Sequence, residues 1–412
     1  MININGKNKK IVGFICECNP FHTGHKRLIK EAKKYGDFIV AVMSGNYVER
    51  GEPAVYDKYK RTKELLKNGV DLVIELPIEY VMSSAKYFAS AGVRILNSLG
   101  FVDYIIFGSK IGDIEKLKEL ASIEIDQAFV NSSEDKGDLS NAGIVDNIGK
   151  YLREGKTYAY AIGKILGEEL SSNDILAIEY IRALNDIKSK IVPRAIERKD
   201  DLPTATELRE KIKKKIDCDS FSDILNYKLL LAKNMKENAG ESILSDIYLM
   251  TNDMENAILN SISEKETKKN LAFTERAKKL KTKNRTLAYI KRLFFNIIFD
   301  IRKNEVVSNH SSKNLQLNEK NKIKKIKWIR VLGFNEKSSD LLKKIKVPIL
   351  MSYSIASYKT FVKKYQVKKI LRNKNGSFTL SPILQKNIFA NDLYYLLSGQ
   401  KLREAEWQVV RK

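Results

Sequence analysis

Four short, almost wholly apolar runs, separated by stretches long enough for helices, govern what the first half of this chain can become. The runs are Ile11–Cys16, Phe38–Met43, Leu72–Leu76 and Tyr104–Phe107, and Asp57–Asn68 and Ser83–Ser98 between them carry helical patterning. A strand apolar on both sides must be covered on both faces, and helices supply that cover in a buried parallel sheet. The pattern therefore predicts an α/β fold. Ligands of such sheets bind beyond the carboxyl ends of the strands. Three polar turns fall at those ends: Asn19 to His25 after the first strand, Ser44-Gly45-Asn46 after the second, and Gly108-Ser109-Lys110 after the fourth.

The first of these turns carries the chemistry. The chain has only 3 histidines, and two of them, His22 and His25, stand in the phrase Asn19-Pro20-Phe21-His22-Thr23-Gly24-His25. The amphipathic stretch Lys26 to Lys34 follows, which places His-x-Gly-His on a strand–turn–helix junction. A helix start offers unpaired N–H groups and a positive dipole end to an anion. Two imidazoles one turn apart can donate to the same phosphate oxygens, with Gly24 leaving room at the backbone. That arrangement suits nucleotidyl transfer, where charge builds on an α-phosphate as pyrophosphate leaves.

Composition narrows the setting. With 412 residues and 43% hydrophobic content, the chain can bury full cores in two or three domains. Its 3 cysteines are Cys16, Cys18 and Cys218; the first two are too close for an unstrained disulfide, and no second pair completes a zinc site. Met1 to Lys10 is polar and basic, and no apolar run reaches membrane-spanning length, so a cytoplasmic protein is expected. Lysine and arginine total 74 against 50 acidic residues, a formal charge of +24, which points to a polyanionic partner such as nucleic acid.

Further along, Ser171-Ser172-Asn173-Asp174 opens a helix over Ile175–Leu184, with Asn173 or Asp174 as its cap, and Thr204-Ala205-Thr206-Glu207-Leu208-Arg209 begins another. A polar loop is expected around Asn131–Asn141. Beyond Lys215 the chain reads as largely helical and more basic. Lys278 to Arg292 is dense in cations, and Leu293 to Phe299 continues it with an apolar face. His310 reads as a loop residue, Lys322 to Lys327 as a basic block, and the runs Trp328–Phe334 and Val347–Met351 as strands of a small α/β unit. Aromatics among the cations (Tyr289, Phe294, Trp328, Tyr353) suggest an RNA-binding surface. The expected division is 1–215 for nucleotide chemistry and 216–412 for the basic, helical, RNA-contacting part.

The ordered phrases resemble one known family, tRNA(Met) cytidine acetate ligase. They are Val12-Gly13, Glu17, Asn19 to His25, Met43 to Ala54, Gly69 to Pro77, Phe107-Gly108-Ser109, Ser172 to Leu176 and Ile329 to Asn335. The resemblance spans essentially the whole length. It implies a nucleotidylyltransferase-like Rossmann-type domain followed by a mainly helical basic region with a small α/β unit. It implies an enzyme that uses ATP and acetate to acetylate N4 of the wobble cytidine in elongator tRNA(Met). It also implies an ATP site formed by Ile15, Cys16, Glu17, Cys18, Asn19, Pro20, Phe21, His22, Thr23, Gly24, His25, Lys26, Arg27 and Leu28, completed by Gly108, Asn173 and Arg198. The stretch Glu197 to Pro203 departs from the family, being shorter and lacking its Tyr-His.

Residue chemistry and resemblance converge on a two-step reaction through acetyl-adenylate. His22 and His25 are expected to stabilise charge at the α-phosphate, since a carboxylate nucleophile arrives already ionised. Lys26, Arg198 and Arg209 are further candidates for phosphate neutralisation. Magnesium is expected on the ATP phosphates, because the sequence offers no dedicated carboxylate cage. Two alternatives use the same loop: an adenylyltransferase acting on a small phosphorylated molecule, and a tRNA-binding protein that senses ATP without chemistry.

Overall fold

The apolar runs form strands, and their order places the site. The computed structural model describes residues 2–4, 6–123, 151, 164, 170–198, 205–212, 214–262, 271–282, 285–307, 326–351, 382–400 and 410–411. Strands β1 (Ile11–Cys16), β2 (Phe38–Ser44) and β3 (Leu72–Leu76) are buried along their whole length, as two-sided cover requires. They pair in parallel, with Ile11 opposite Phe38 and Val40 opposite Leu72. On the other side of β1 lies β4 (Tyr104–Ser109), also parallel, and beyond it β5 (Val192–Glu197). The parallel strands therefore run β3-β2-β1-β4-β5. The chain winds outward one way from β1 and then the other, so the switch point, the place where sheets of this kind bind ligands, lies between β1 and β4.

Strand β5 had no sequence signature. It pairs with β4 from Tyr104↔Val192 to Ser109↔Glu197. It is an edge strand with mostly half-exposed residues, so it carries no apolar run, and Pro193 is tolerated there because the edge needs no donor on its open side.

The strands of the expected small C-terminal unit join this same sheet instead of forming one of their own. Strand β6 (Ile329–Phe334) pairs antiparallel with β3, and β7 (Ile349–Leu350) and β8 (Val410–Arg411) pair with β6. A buried ion cluster fixes the join. Arg330 stands opposite Glu75 across the strands, with Nε 3.2 Å from the carboxylate, and Lys58 Nζ reaches the same carboxylate at 2.7 Å. Buried charges persist only when paired, so this cluster specifies where the C-terminal strand adds.

Helices α1 (Thr23–Ala32), α2 (Lys58–Lys67), α3 (Ala85–Ser98), α4 (Ile114–Ser122) and α5 (Ser172–Asp186) flank the sheet. The later helical region comprises α6 (Ser222–Ala239), α7 (Asn252–Asn260), α8 (Phe273–Lys279), α9 (Leu287–Phe299) and α10 (Pro382–Leu397). It docks on the turn that follows β2. The Tyr47 ring packs against Phe295 and Phe299 of α9 at 5.4 and 5.0 Å, and its hydroxyl donates to Ala390 O at 2.8 Å. Tyr394 of α10 donates to Ala54 O at 2.9 Å.

This docking corrects the reading of the basic stretch. Leu293 to Phe299 is buried all round, not on one face, and Phe294 contacts Phe273 at 5.2 Å inside the core. Lys291 pairs with Glu52 and Arg292 with Glu49, each at 2.6 Å, so these two cations hold the helix to the turn. Tyr289 is half-buried with its hydroxyl bonded to Leu249 O. Exposed cations of the stretch include Lys278, Lys279 and Lys281. Asn131–Asn141, Lys283, His310, Lys322 to Lys325 and Tyr353 lie outside the described residues. No described helix is long and apolar enough to cross a membrane.

Candidate active site

The loop from Glu17 to His22 leaves β1 at the switch point and delivers the chain into α1. His22 is the N-cap of α1: its backbone is extended, and its Nδ1 accepts the Gly24 N–H at 3.0 Å. His25, one turn on, closes the reciprocal bond, its Nδ1 accepting the His22 N–H at 3.2 Å. The two histidines thus form a capping box, with imidazoles standing in for the usual Ser and Glu. The rings lie 3.9 Å apart between centroids, and Phe21 stacks on His25 at 5.5 Å.

This geometry fixes the tautomers. A ring nitrogen that accepts a hydrogen bond carries no proton, so each neutral imidazole bears its proton on Nε2. Both rings therefore present an N–H donor away from the helix backbone. Burial, with His25, Arg198 and Arg209 adding, pushes the His22 imidazole down to about 3, so it is a neutral donor at physiological pH. Gly24 has a more specific task than leaving room for phosphate: a Cβ there would meet His22 Cε1 at 2.8 Å and Nδ1 at 3.0 Å. The missing side chain lets the imidazole fold back over the helix start.

The second rim comes from β4. The Arg198 N–H donates to Ser109 O at 2.8 Å, and its aliphatic stem crosses Gly108, where a Cβ would sit 3.2 Å from Arg198 Cγ. Gly108 thus seats Arg198, whose guanidinium has no carboxylate partner among the described residues. Arg209, on the short helix Ala205–Glu210, donates to Asn19 O at 2.9 Å and lies over the loop. Lys26 is exposed on the first turn of α1. Both arginines act electrostatically on His22, which sets cations beside the imidazole donors.

The cap of α5 differs from expectation. Ser171 is the N-cap, and Asp174 completes its capping box. Asp174 is fully buried and also accepts from Ser109 Oγ at 2.6 Å and from the N–H groups of Lys110 and Ile111. Burial raises its pKa, but these bonds outweigh burial and hold it below the usual carboxylate range. Asp174 therefore shapes the β4 loop, while Asn173 beside it is half-exposed on the first turn of the helix.

Of the other expected residues, Ile15, Cys16, Cys18, Asn19 and Pro20 are buried, so they can offer a nucleotide mainly backbone. Cys16 ends β1, and Cys18 lies beyond it at φ 49°; neither is in a disulfide. Asn19 Oδ1 accepts the Val55 N–H at 2.8 Å. Leu28 packs on the core to anchor α1, Thr23 is exposed, and Arg27 is half-exposed. Ser44-Gly45-Asn46 is not on the rim: all three are buried, and Asn46 Oδ1 accepts the N–H of Lys58, the first residue of α2, at 2.8 Å.

Two residues escaped the sequence reading. Arg61 is 1% exposed and directs its guanidinium at backbone carbonyls of three segments, Glu17 O (2.6 Å), Tyr56 O (2.9 Å) and Gly45 O. It pins the loop after β1 to the loop after β2. In sequence it is one more cation on a charged helix, so nothing local marks it. Glu49, paired to Arg292, uses its backbone N–H to hold Glu17 Oε1 at 2.6 Å. Glu17 is half-buried.

The sequence profile of the HIGH Nucleotidyl Transferase family matches residues 9–215 and 201–407 of this chain. A protein of Caldanaerobacter subterraneus subsp. tengcongensis named tRNA(Met) cytidine acetate ligase is 33% identical to it, covering 93% of this chain and 94% of its own. One of the same name from Acetivibrio thermocellus is 30% identical over 94% of this chain and 95% of its own. The crystal structure of Thermotoga maritima TmcAL in apo form superposes with a TM-score of 0.73 at 23% identity, covering 98% of this chain and 99% of that one. The same protein bound with alpha-thio ATP matches equally well.

Proposed function

Because the chain belongs to the HIGH nucleotidyl transferases and, within them, to the tRNA(Met) cytidine acetate ligase family, we propose that it activates acetate with ATP and passes the acetyl group to N4 of the wobble cytidine of elongator tRNA(Met). One observation carries the adenylation step. His22 and His25 are locked as Nε2–H donors at the start of α1, beside Arg198 and Arg209. Acetate oxygen attacks the α-phosphorus, the bond to the β-phosphate oxygen breaks, and pyrophosphate leaves. Donors aimed at the charge that builds there are each worth roughly 2.7–4 kcal/mol of barrier. In this reading Ile15 to Leu28, Gly108, Asn173 and Arg198 surround ATP within residues 1–215, and residues 216–412 supply the tRNA contacts. Among the described residues no three His, Cys, Asp or Glu side chains converge to hold a metal ion. Magnesium would arrive on the ATP phosphates. The tRNA substrate places the reaction in the cytoplasm.

In the second step the cytidine amine attacks the acyl carbon of acetyl-adenylate, and AMP leaves. That amine is a weak nucleophile, so alignment must supply much of the rate. Labelled acetate, ATP and a transcript of elongator tRNA(Met), followed by nucleoside analysis, test the reading. Acetylated cytidine is expected at the wobble position, with one AMP released per acetyl group. A transcript carrying uridine there should bind similarly and accept nothing. Equal labelling of both transcripts would overturn the reading.

A further inference from the structure

Acetyl transfer to an amine must discard a proton, and the two histidines of the motif have no place for it. Each Nδ1 already accepts a backbone N–H, and each Nε2 already carries hydrogen. Another group on the same loop can take it. We propose that Glu17 is the general base of the transfer step, taking the proton from the cytidine N4 amine; this rests on the reading given above. The N4–C bond forms, the bond from the acyl carbon to the phosphate oxygen breaks, AMP leaves with the extra negative charge, and the N4 proton passes to the Glu17 carboxylate.

Position is the first support. Glu17 immediately follows β1, on the loop that ends in the His22 cap, and is half-buried between buried Cys16 and Cys18. Its neighbours tie it to the imidazoles, since Arg209 acts electrostatically on both Glu17 and His22.

Freedom is the second. Buried or half-buried carboxylates nearby are spoken for: Glu49 by Arg292, Glu52 by Lys291, Glu75 by Lys58 and Arg330, Asp174 by the β4 loop. Glu17 makes no ion pair among the described residues, and its one hydrogen bond there, from the Glu49 N–H to Oε1 at 2.6 Å, orients the group and leaves Oε2 open. A carboxylate with one oxygen held and the other open is placed to accept a proton.

Environment is the third. Burial pushes the Glu17 carboxyl up to about 7, with Glu49 adding and Arg61 and Arg50 opposing. Cys16, Tyr180 and Arg209 also interact electrostatically with it, and buried Cys18 is its chain neighbour. A base near neutrality combines a useful ionised fraction with a real affinity for the proton. Arg292 of α9 clamps Glu49, whose N–H seats Glu17, so a helix of the C-terminal half reaches the proposed base through one residue.

The test uses the full chain with Glu17→Gln, which preserves shape and the Oε1 acceptor, and Glu17→Asp, which keeps the carboxylate but withdraws it. Acetate-dependent exchange of pyrophosphate into ATP reads the first step. Single-turnover transfer from enzyme-bound acetyl-adenylate to elongator tRNA(Met), over a pH range spanning neutrality, reads the second. Wild-type transfer should rise with pH through about 7. Glu17→Gln should lose transfer by roughly 10²–10⁴-fold together with that rise; because Glu17 also lies in the ATP loop, exchange should fall too, but by at least about tenfold less than transfer. Glu17→Asp should lie between and keep the pH dependence. Transfer by Glu17→Gln within about threefold of wild type, or an equal loss in both steps, would overturn the proposal. Failure of the unaltered chain to exchange pyrophosphate with acetate would overturn the reading it rests on, and the proposal with it.

Discussion

Replacing Gly24 by alanine separates the stability of the α1 start from its chemistry. The added Cβ would lie 2.8 Å from His22 Cε1 and 3.0 Å from Nδ1, closer than such atoms approach, so the imidazole must swing away from the helix. Its bond to the Gly24 N–H is then lost. Losing an N-cap bond costs about 1 kcal/mol. Alanine in place of glycine within a helix returns up to about 1 kcal/mol. The two offset, so unfolding by denaturant should change by less than about 1 kcal/mol. On the proposed function catalysis has no such compensation, because the displaced Nε2–H would no longer reach the α-phosphate. The adenylation rate should fall roughly 10²–10³-fold, as when one oxyanion donor is removed. A double-mutant cycle isolates the cause. With His22→Ala already present there is no imidazole to strike, and adding Gly24→Ala should alter pyrophosphate exchange by less than about twofold. Adenylation by Gly24→Ala near the wild-type rate would refute the reasoning, as would a full loss repeated in the His22→Ala background.

Asp174→Asn should destabilise the β4 rim by roughly 2–4 kcal/mol, because an amide turns donor hydrogens toward Ser171 or Ser109 where a carboxylate accepted. The native carboxyl lies below the usual range, so its contribution is present above the unfolded value of about 3.9 and fades as pH falls through the lower folded value. The stability gap between wild type and variant should therefore narrow in acid, and a gap that widens there would contradict the assignment. Neutralising exposed Lys278, Lys279 and Lys281 should weaken tRNA capture and flatten its dependence on salt while pyrophosphate exchange persists. An unchanged salt slope would place the tRNA elsewhere.

The sequence by itself determined the parallel sheet and the strand–turn–helix junction that carries the histidine pair. Uninterrupted apolar runs such as Phe38–Met43 are a local signal, and so is a histidine pair at a strand–turn–helix junction. Other features depend on partners remote in the chain. Strand β5 is an unmarked edge, visible only through its pairing with β4. Strand β6 reads as part of a separate unit until Arg330 is seen opposite Glu75. Arg292 reads as an RNA contact until it is found clamping Glu49. Arg61 and Glu17 make the same point within the site. One is a buried staple and the other a carboxyl without an ion pair among the described residues, and both look like ordinary charges in sequence. Burial and pairing decide what a charged residue does, and both are set by tertiary neighbours.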